Sequence, residues 1–172
     1  MRADDAARLA AFDAKPTQAL LSAFAHGSPD DVAILSDALR GAGWPAEQAL
    51  ATLPGDWTCQ TIKLGGLLPI VVYAPFRCRI DEAGGFEKLS GSQRTRGHLS
   101  IRDGRVIYLG TGFVAGDTPP DYAALPDHVD PGAMPQFMPE IGIVQVTGPD
   151  AARVLLPLPH LESDLNLLVL RR

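Results

Sequence analysis

The sequence has few of the residues that carry metal or redox chemistry. It contains two cysteines, Cys59 and Cys78, and four histidines that are scattered along the chain. Two cysteines are too few for a zinc site, and their spacing is too wide for a C-x-x-C redox motif. No H-E-x-x-H motif accompanies the histidines. We therefore expect no metal site.

Other absences exclude further functional classes. No G-x-x-x-x-G-K-[ST] or G-x-G-x-x-G motif is present to hold a nucleotide phosphate, and no G-x-S-x-G motif presents a serine nucleophile. No apolar run approaches the roughly 20 residues of a membrane-spanning helix. The net charge of -5 is opposite in sign to the positive charge that a nucleic-acid-binding surface needs. We expect no catalytic residue set, no cofactor, no nucleic-acid partner and no membrane span.

The N-terminus leaves two compartments open. Residues Met1 to Asp5 contain one basic residue and no apolar segment, so no signal peptide is visible. This predicts either a cytoplasmic protein or the mature form of an exported one.

What the sequence does contain is 46% apolar residues together with 17 glycines and 15 prolines. The apolar fraction supports a folded core, whereas this much glycine and proline argues against a helical bundle. We expect one domain that covers residues 1–172.

The first 53 residues carry the signals of three to four short helices. Ser28-Pro29-Asp30-Asp31 marks a helix start, with a capping serine, proline at the first helical position and two acids at the positive end of the dipole. The apolar residues of that helix repeat at i, i+3 and i+7 and therefore need a surface to pack on.

After Trp57 the apolar period changes to two, which predicts about eight strands. The expected strands are 57–64, 70–80, 86–90, 93–101, 106–114, 141–147, 153–158 and 164–171. Asp103-Gly104 predicts a tight hairpin between the fourth and the fifth. Short antiparallel strands without helical crossovers favour an up-and-down barrel of the lipocalin (calycin-like) type or a strongly coiled sheet, with a sandwich as the alternative.

The expected fold class is therefore α+β, mainly β, with a helical segment 1–53 packed on a barrel 55–172. The last strand has apolar residues on both of its faces, so we expect the helices to cover its outer face.

The two cysteines fall in the first two expected strands. If 57–64 and 70–80 pair as a hairpin centred near Leu68 and Pro69, Cys59 and Cys78 lie directly opposite each other, within reach of a disulfide. With no export signal visible, the residues leave a disulfide and two buried thiols as alternatives.

Candidate ligand-binding residues come from three regions of the sequence. Gly55-Asp56-Trp57 matches the short Gly-x-Trp pattern with which lipocalin-like barrels begin, where the indole of Trp57 would close one end. Arg94 and Arg96 share one strand face that could receive a carboxylate or a phosphate, although a solvated outer face is the simpler interpretation. His128 lies in the irregular 114–140 loop, and His160 and Glu162 lie in the turn before the last strand.

Four motifs taken together resemble a known bacterial family. They are Trp57-x-Cys59-x-Thr61-Ile62-Lys63-Leu64-Gly65, Pro75-Phe76-Arg77-Cys78-Arg79-Ile80, Phe86-x-Lys88-Leu89-Ser90-Gly91-Ser92-Gln93-Arg94 and Leu156-Pro157-x-Pro159-His160-x-Glu162-Ser163. These motifs, with the Ala/Asp/Arg-rich start at Ala3 to Ala14, resemble the family called domain of unknown function 4893. Members of that family are often exported, so the resemblance favours a periplasmic or secreted protein and the Cys59–Cys78 disulfide. It implies no activity.

Two functional hypotheses follow. The first is a non-catalytic binding module that holds a small apolar or anionic ligand, or a protein partner, at a barrel mouth formed by Trp57, the 114–140 loop and the 159–163 turn. The second is a hydrolase-like enzyme in which His128 or His160 acts as general base with a nearby carboxylate. The barrel also resembles, in architecture only, small periplasmic inhibitors of secreted metalloproteases, which makes protease inhibition a further alternative. The missing nucleophile and metal motifs favour the binding module.

Overall fold

The computed structural model describes residues 1–172, except for the side chain of Asp13. Within that part it has four α-helices, two 3₁₀ turns (Ala11–Asp13 and Tyr122–Ala124) and eight strands. The helices are α1 (Ala3–Ala10), α2 (Lys15–His26), α3 (Pro29–Ala38) and α4 (Ala46–Thr52). The strands are β1 (Gly55–Leu64), β2 (Ile70–Ile80), β3 (Gly85–Lys88), β4 (Gln93–Arg102), β5 (Arg105–Val114), β6 (Met138–Gly148), β7 (Ala151–Pro157) and β8 (Leu165–Arg171).

The strands form a closed up-and-down barrel. Each strand pairs antiparallel with the next one along the chain, and β1 closes the barrel by pairing with β8. The predicted hairpin joins β4 and β5, where Asp103 and Gly104 have φ values of 48° and 72°. The prediction of a barrel is confirmed, and the closure excludes both the sandwich and an open coiled sheet.

The two ends of the barrel differ. At the end that we call the floor, β1 begins and β8 ends, and α4 packs its Ala49 and Leu53 against Trp57. At the opposite end, the mouth, lie the connections 65–69, 89–92, 115–137 and 158–164. The long irregular loop and the turn before β8 therefore lie at the same end.

The floor half of the barrel has a solid apolar core. The indole N–H of Trp57 donates to the carbonyl of Leu53 at 2.8 Å. Further up, the rings of Phe86 and Tyr108 meet edge to face, with their centroids 5.3 Å apart. Such close packing leaves no space for a lipid-sized ligand in this half.

Cys59 and Cys78 form a disulfide inside this core, with their Cα atoms 5.9 Å apart. The expected register is wrong by two residues, because the β1–β2 turn is centred on Leu67 and a bulge on β2 offsets only part of that shift. Cys59 consequently pairs with Phe76, and Cys78 with Trp57. The disulfide joins diagonal neighbours on the inner face of the sheet, which are still close enough to bridge.

The helices pack on the outside of the barrel. Buried residues of α2 and α3, including Ala23 and Leu35, contact the outward-facing Leu165 and Leu167 of β8. Leu9 of α1 and Phe12 of the following turn pack on β5 and β6. The apolar outer face of β8 is covered as expected.

Candidate functional site

A polar cavity lies inside the mouth, above the apolar core. It consists of an inner and an outer chamber, each with a volume of about 70 Å³. The chambers share the lining residues Lys63, Gln93, Arg94, Glu140, Leu156 and Asn166, and therefore adjoin. Each volume suits a few waters or a small ion and is well below the roughly 300 Å³ or more of a pocket for a drug-sized ligand.

Two buried lysines extend into this cavity from the inner faces of β1 and β3. Lys63 is 8% exposed, and its Nζ donates to Gln93 Oε1 at 2.9 Å and pairs with the carboxylate of Glu162. Lys88 is 7% exposed, and its Nζ donates to the main-chain oxygen of Gln93 at 2.7 Å. The same Nζ lies 3.9 Å from the centre of the Phe76 ring. Within the described residues, Lys88 forms no ion pair.

Glu140 on β6 places a carboxyl group in the same cavity. Burial raises the pKa of Glu140, while the Thr95 hydroxyl and the positive charges of Arg8, Lys88 and Lys63 act in the opposite direction. Burial also lowers the pKa of Lys88 to about 8, although Glu140 acts to raise it. Each shift favours the neutral form of the group concerned.

Positive charge exceeds negative charge in the cavity. The lining residues of the two chambers include the cations Arg8, Lys63, Lys88 and Arg94, against the single carboxyl group of Glu140. Lys63 is neutralised by Glu162 at the rim, and Arg8 by Asp5. Arg94, like Lys88, has a carbonyl as its partner, Gly91 O at 3.1 Å. The cavity can therefore accept an anion.

Helix α1 connects the outer chamber to the long loop. Asp5 is 0% exposed, pairs with Arg8 and accepts a hydrogen bond from the hydroxyl of Tyr122. Arg8 also donates to Leu158 O at 3.2 Å and to Pro139 O at 2.9 Å. One buried ion pair thus fixes α1, the 115–137 loop and the turn before β8 around the mouth.

A family model described as Domain of unknown function (DUF4893) matches residues 1–170. The chain belongs to this family. The match confirms the resemblance carried by the four sequence motifs. A search of curated proteins and a search of solved structures each found no match. Within the described part of this DUF4893 chain, no helix combines the length and the apolarity needed to cross a membrane.

Three of the sequence-predicted site residues of this DUF4893 chain lie at the mouth. Arg94 lines both chambers, and Glu162 pairs with Lys63, whose hydrogen bond lowers the pKa of Glu162. His160 lines the outer chamber with its Nε2 3.5 Å from Asp4 Oδ2, without a hydrogen bond. Burial and the nearby Arg8 lower the pKa of His160.

The other three predicted residues lie elsewhere. Trp57 is at the floor, because β1 begins there and runs towards the mouth, so the expected mouth containing Trp57 is wrong. Arg96 lies on the outer face of β4, where it donates to Pro119 O at 3.1 Å and fastens the long loop. His128 is exposed, and the described residues give it no hydrogen-bonding or ion-pair partner.

These positions weaken the hydrolase hypothesis. His160 lies 3.5 Å from the Asp4 carboxylate without a hydrogen bond to it, and His128 is exposed on the surface loop. Neither chamber is lined by a serine or a cysteine in the part of the chain that the structure describes. A histidine base therefore has no serine or cysteine nucleophile beside it to activate.

Asp4, Asp5 and His160 also come close together. Their potential ligand atoms lie within 4.8 Å of one another. The guanidinium of Arg8 pairs with Asp5 and lies 3.6 Å from Asp4, so its positive charge already neutralises negative charge at these carboxylates. We assign no metal to this cluster.

Sequence reasoning missed Lys63, Lys88 and Glu140. The alternation of inward and outward residues along a strand gave a signal for the two lysines. Lys63 follows Trp57 and Cys59 on the inward positions of β1, and Lys88 follows Phe86 on the inward positions of β3. A charged residue on the apolar face of a strand is rare without a specific role.

Proposed function

We propose that this protein binds a small anionic ligand, a carboxylate or a similar oxyanion, in the mouth of its barrel. The observation that carries the proposal is the buried Lys88, which lies in a cavity with an excess of cations and forms no ion pair with a carboxylate of the described residues. An unpaired buried charge is costly, and an anion in the chamber would provide the missing opposite charge.

The shape of the interior favours an anion over an apolar ligand. The apolar half of the barrel is filled by the disulfide and by aromatic side chains, so the available space is the polar half. The lipocalin likeness therefore extends to the barrel and its tryptophan-closed end, and the mouth supports a smaller and more polar ligand.

The proposed compartment is the periplasm or the cell exterior. The disulfide between Cys59 and Cys78 supports this, because such bonds persist in oxidising compartments. Capture of a small anion outside the cytoplasm is compatible with a non-catalytic role.

Calorimetric titration with acetate, lactate and phosphate tests the proposal. We expect at least one of these anions to bind to the wild type, and Lys88→Gln to weaken that binding by about tenfold or more, as for a lost charge-assisted hydrogen bond. Lys15→Gln is the matched control, because Lys15 is exposed on α2 and should bind like the wild type. Equal binding by Lys88→Gln, or no binding of any of the three anions, would refute the proposal.

A further inference from the structure

The environment of Lys88 leaves a larger fraction of its side chain as the unprotonated, nucleophilic amine than an exposed lysine has at the same pH. An ammonium group has three N–H donors, and in the described structure one of them donates to Gln93 O while the nitrogen lies over Phe76. Lys63 and Arg94 line the same chamber and repel a positive charge on Lys88. Burial and two like charges both favour the unprotonated amine, which is the form that attacks a carbonyl carbon.

The inner chamber also holds a proton donor and groups that bind a carboxylate. Glu140 is a buried carboxyl group whose neutral form is favoured, so it can deliver a proton inside the chamber. Lys63 and Arg94 present cationic groups to the same space. Amine, acid and carboxylate-binding cations are therefore combined in one small polar cavity.

We propose that the ligand is a small oxo acid and that Lys88 captures its carbonyl group as an imine. This inference rests on the proposed anion site and adds a reversible covalent step to it. The Nζ lone pair forms a C–N bond to the carbonyl carbon, and the C=O π electrons move to oxygen, which gains a proton as the nitrogen loses one. Glu140 then protonates the resulting hydroxyl group, which leaves as water while the C=N bond forms. The nitrogen proton returns the carboxyl group to its starting state.

The step is balanced without a redox partner. One carbonyl and one primary amine give one imine and one water. No atom is oxidised or reduced by an external reagent. The two small chambers restrict the oxo acid to about the size of pyruvate, which is therefore used as the probe.

Trapping with pyruvate and sodium cyanoborohydride tests the inference on the intact protein. Reduction of the imine leaves a stable 1-carboxyethyl group on the nitrogen, which peptide mass spectrometry assigns to a residue. The chain has two other lysines, Lys15 and Lys63, which serve as internal controls along with the terminal amine. We expect Lys88 to be labelled at least about tenfold faster than any of them, with saturation at high pyruvate concentration.

Three variants extend the test. Lys88→Arg retains a cation but has no amine for imine formation, so the main label should disappear, whereas Lys15→Arg should leave the label on Lys88 unchanged. Glu140→Gln should slow labelling by about tenfold or more if the carboxyl group is the proton donor. The label distribution on the wild type is informative even if a variant fails to fold.

The failures of the two proposals are distinguishable. Lactate has the carboxylate of pyruvate without its carbonyl group. If lactate binds but pyruvate labels the lysines evenly or not at all, the imine is refuted and the anion site stands. If pyruvate, acetate, lactate and phosphate all fail to bind, the anion site itself is refuted.

Discussion

Lys88 shows how a single buried residue couples ligand chemistry to stability. Burial lowers its pKa to about 8, against an ordinary value of 10.5. Below about pH 8 the folded state must keep an ammonium group in a poorly solvated chamber. An anion bound nearby relieves that penalty, which is the energetic basis of the proposed site.

The same shift predicts the pH dependence of stability. Between about pH 8 and the ordinary value of 10.5, the folded protein has released the proton that the unfolded chain still binds, so stability rises with pH in this window. Relative to Lys88→Met, the wild type should gain roughly 2 kcal/mol in unfolding free energy between about pH 7.5 and pH 9.5. Urea unfolding at both pH values measures this, and Lys15→Met should show no such change. A pH-independent difference between wild type and Lys88→Met would contradict the shift.

Gly110 on β5 is a residue whose role is purely steric. A Cβ at this position would overlap the hydroxyl of Tyr108 and would lie 2.8 Å from the main-chain oxygen of Arg96. Gly110→Ala should therefore destabilise the protein by about 2–3 kcal/mol, measured by urea unfolding. In Gly132→Ala the new methyl group meets only the Asp130 carboxylate at 3.3 Å, so this variant should stay within about 0.5 kcal/mol of the wild type. Equal losses in the two variants would contradict the steric account.

At the scale of elements, the ends of two helices are held by arginines that are distant in sequence, one on β7 and one directly after β8. No basic residue lies in the last turn of α3, and Arg153 of β7 instead donates to Ala38 O at 3.1 Å, Arg40 O at 3.0 Å and Gly41 O at 3.0 Å. Arg172 caps the end of α4 in the same way, with its guanidinium 4.0 Å from the centre of the Trp57 ring. The barrel thereby satisfies carbonyl groups that the helix ends leave free.

Replacing Arg153 tests this cap. Arg153→Met retains much of the buried stem but leaves three carbonyl groups without their donor, so we expect a loss of about 2–3 kcal/mol in unfolding free energy. The control is Arg77→Met, because Arg77 is exposed on β2 and its loss should cost about 0.5 kcal/mol or less. Guanidinium unfolding followed by circular dichroism measures both, and the cap would be refuted if the two variants were equally stable.

At the scale of the whole molecule, closure of the barrel and the disulfide act together. β1 pairs with both β2 and β8, so every strand has two neighbours. The Cys59–Cys78 bridge cross-links β1 to β2 over 19 residues, and both cysteines are buried. The bridge therefore restricts the unfolded chain while it fills part of the core.

Removal of the disulfide should weaken the protein without changing its fold. For a loop of this length, Cys59→Ala/Cys78→Ala should lose about 3 kcal/mol in urea unfolding. Cys59→Ala alone also removes the cross-link and should lose a similar amount. If the losses of Cys59→Ala and Cys78→Ala instead added up in the double variant, packing rather than the cross-link would be the cause.

The sequence by itself determined the features that depend on neighbouring residues. The serine cap predicted at Ser28 is present, with the Asp31 N–H donating to Ser28 Oγ at 3.2 Å, and the Asp103-Gly104 hairpin and all eight strands are found. Period, capping and turn chemistry act within a few residues, so they can be read along the chain.

Only the tertiary structure decided which distant groups meet. The β1–β2 register depended on a bulge, and the meeting of Lys63, Lys88 and Glu140 depended on closure of three separated strands around one space. Arg153 reaches carbonyl groups more than 100 residues away in sequence. Such contacts are set by the packing of the whole chain, so the candidate site is defined by the closed barrel and not by any single segment of the sequence.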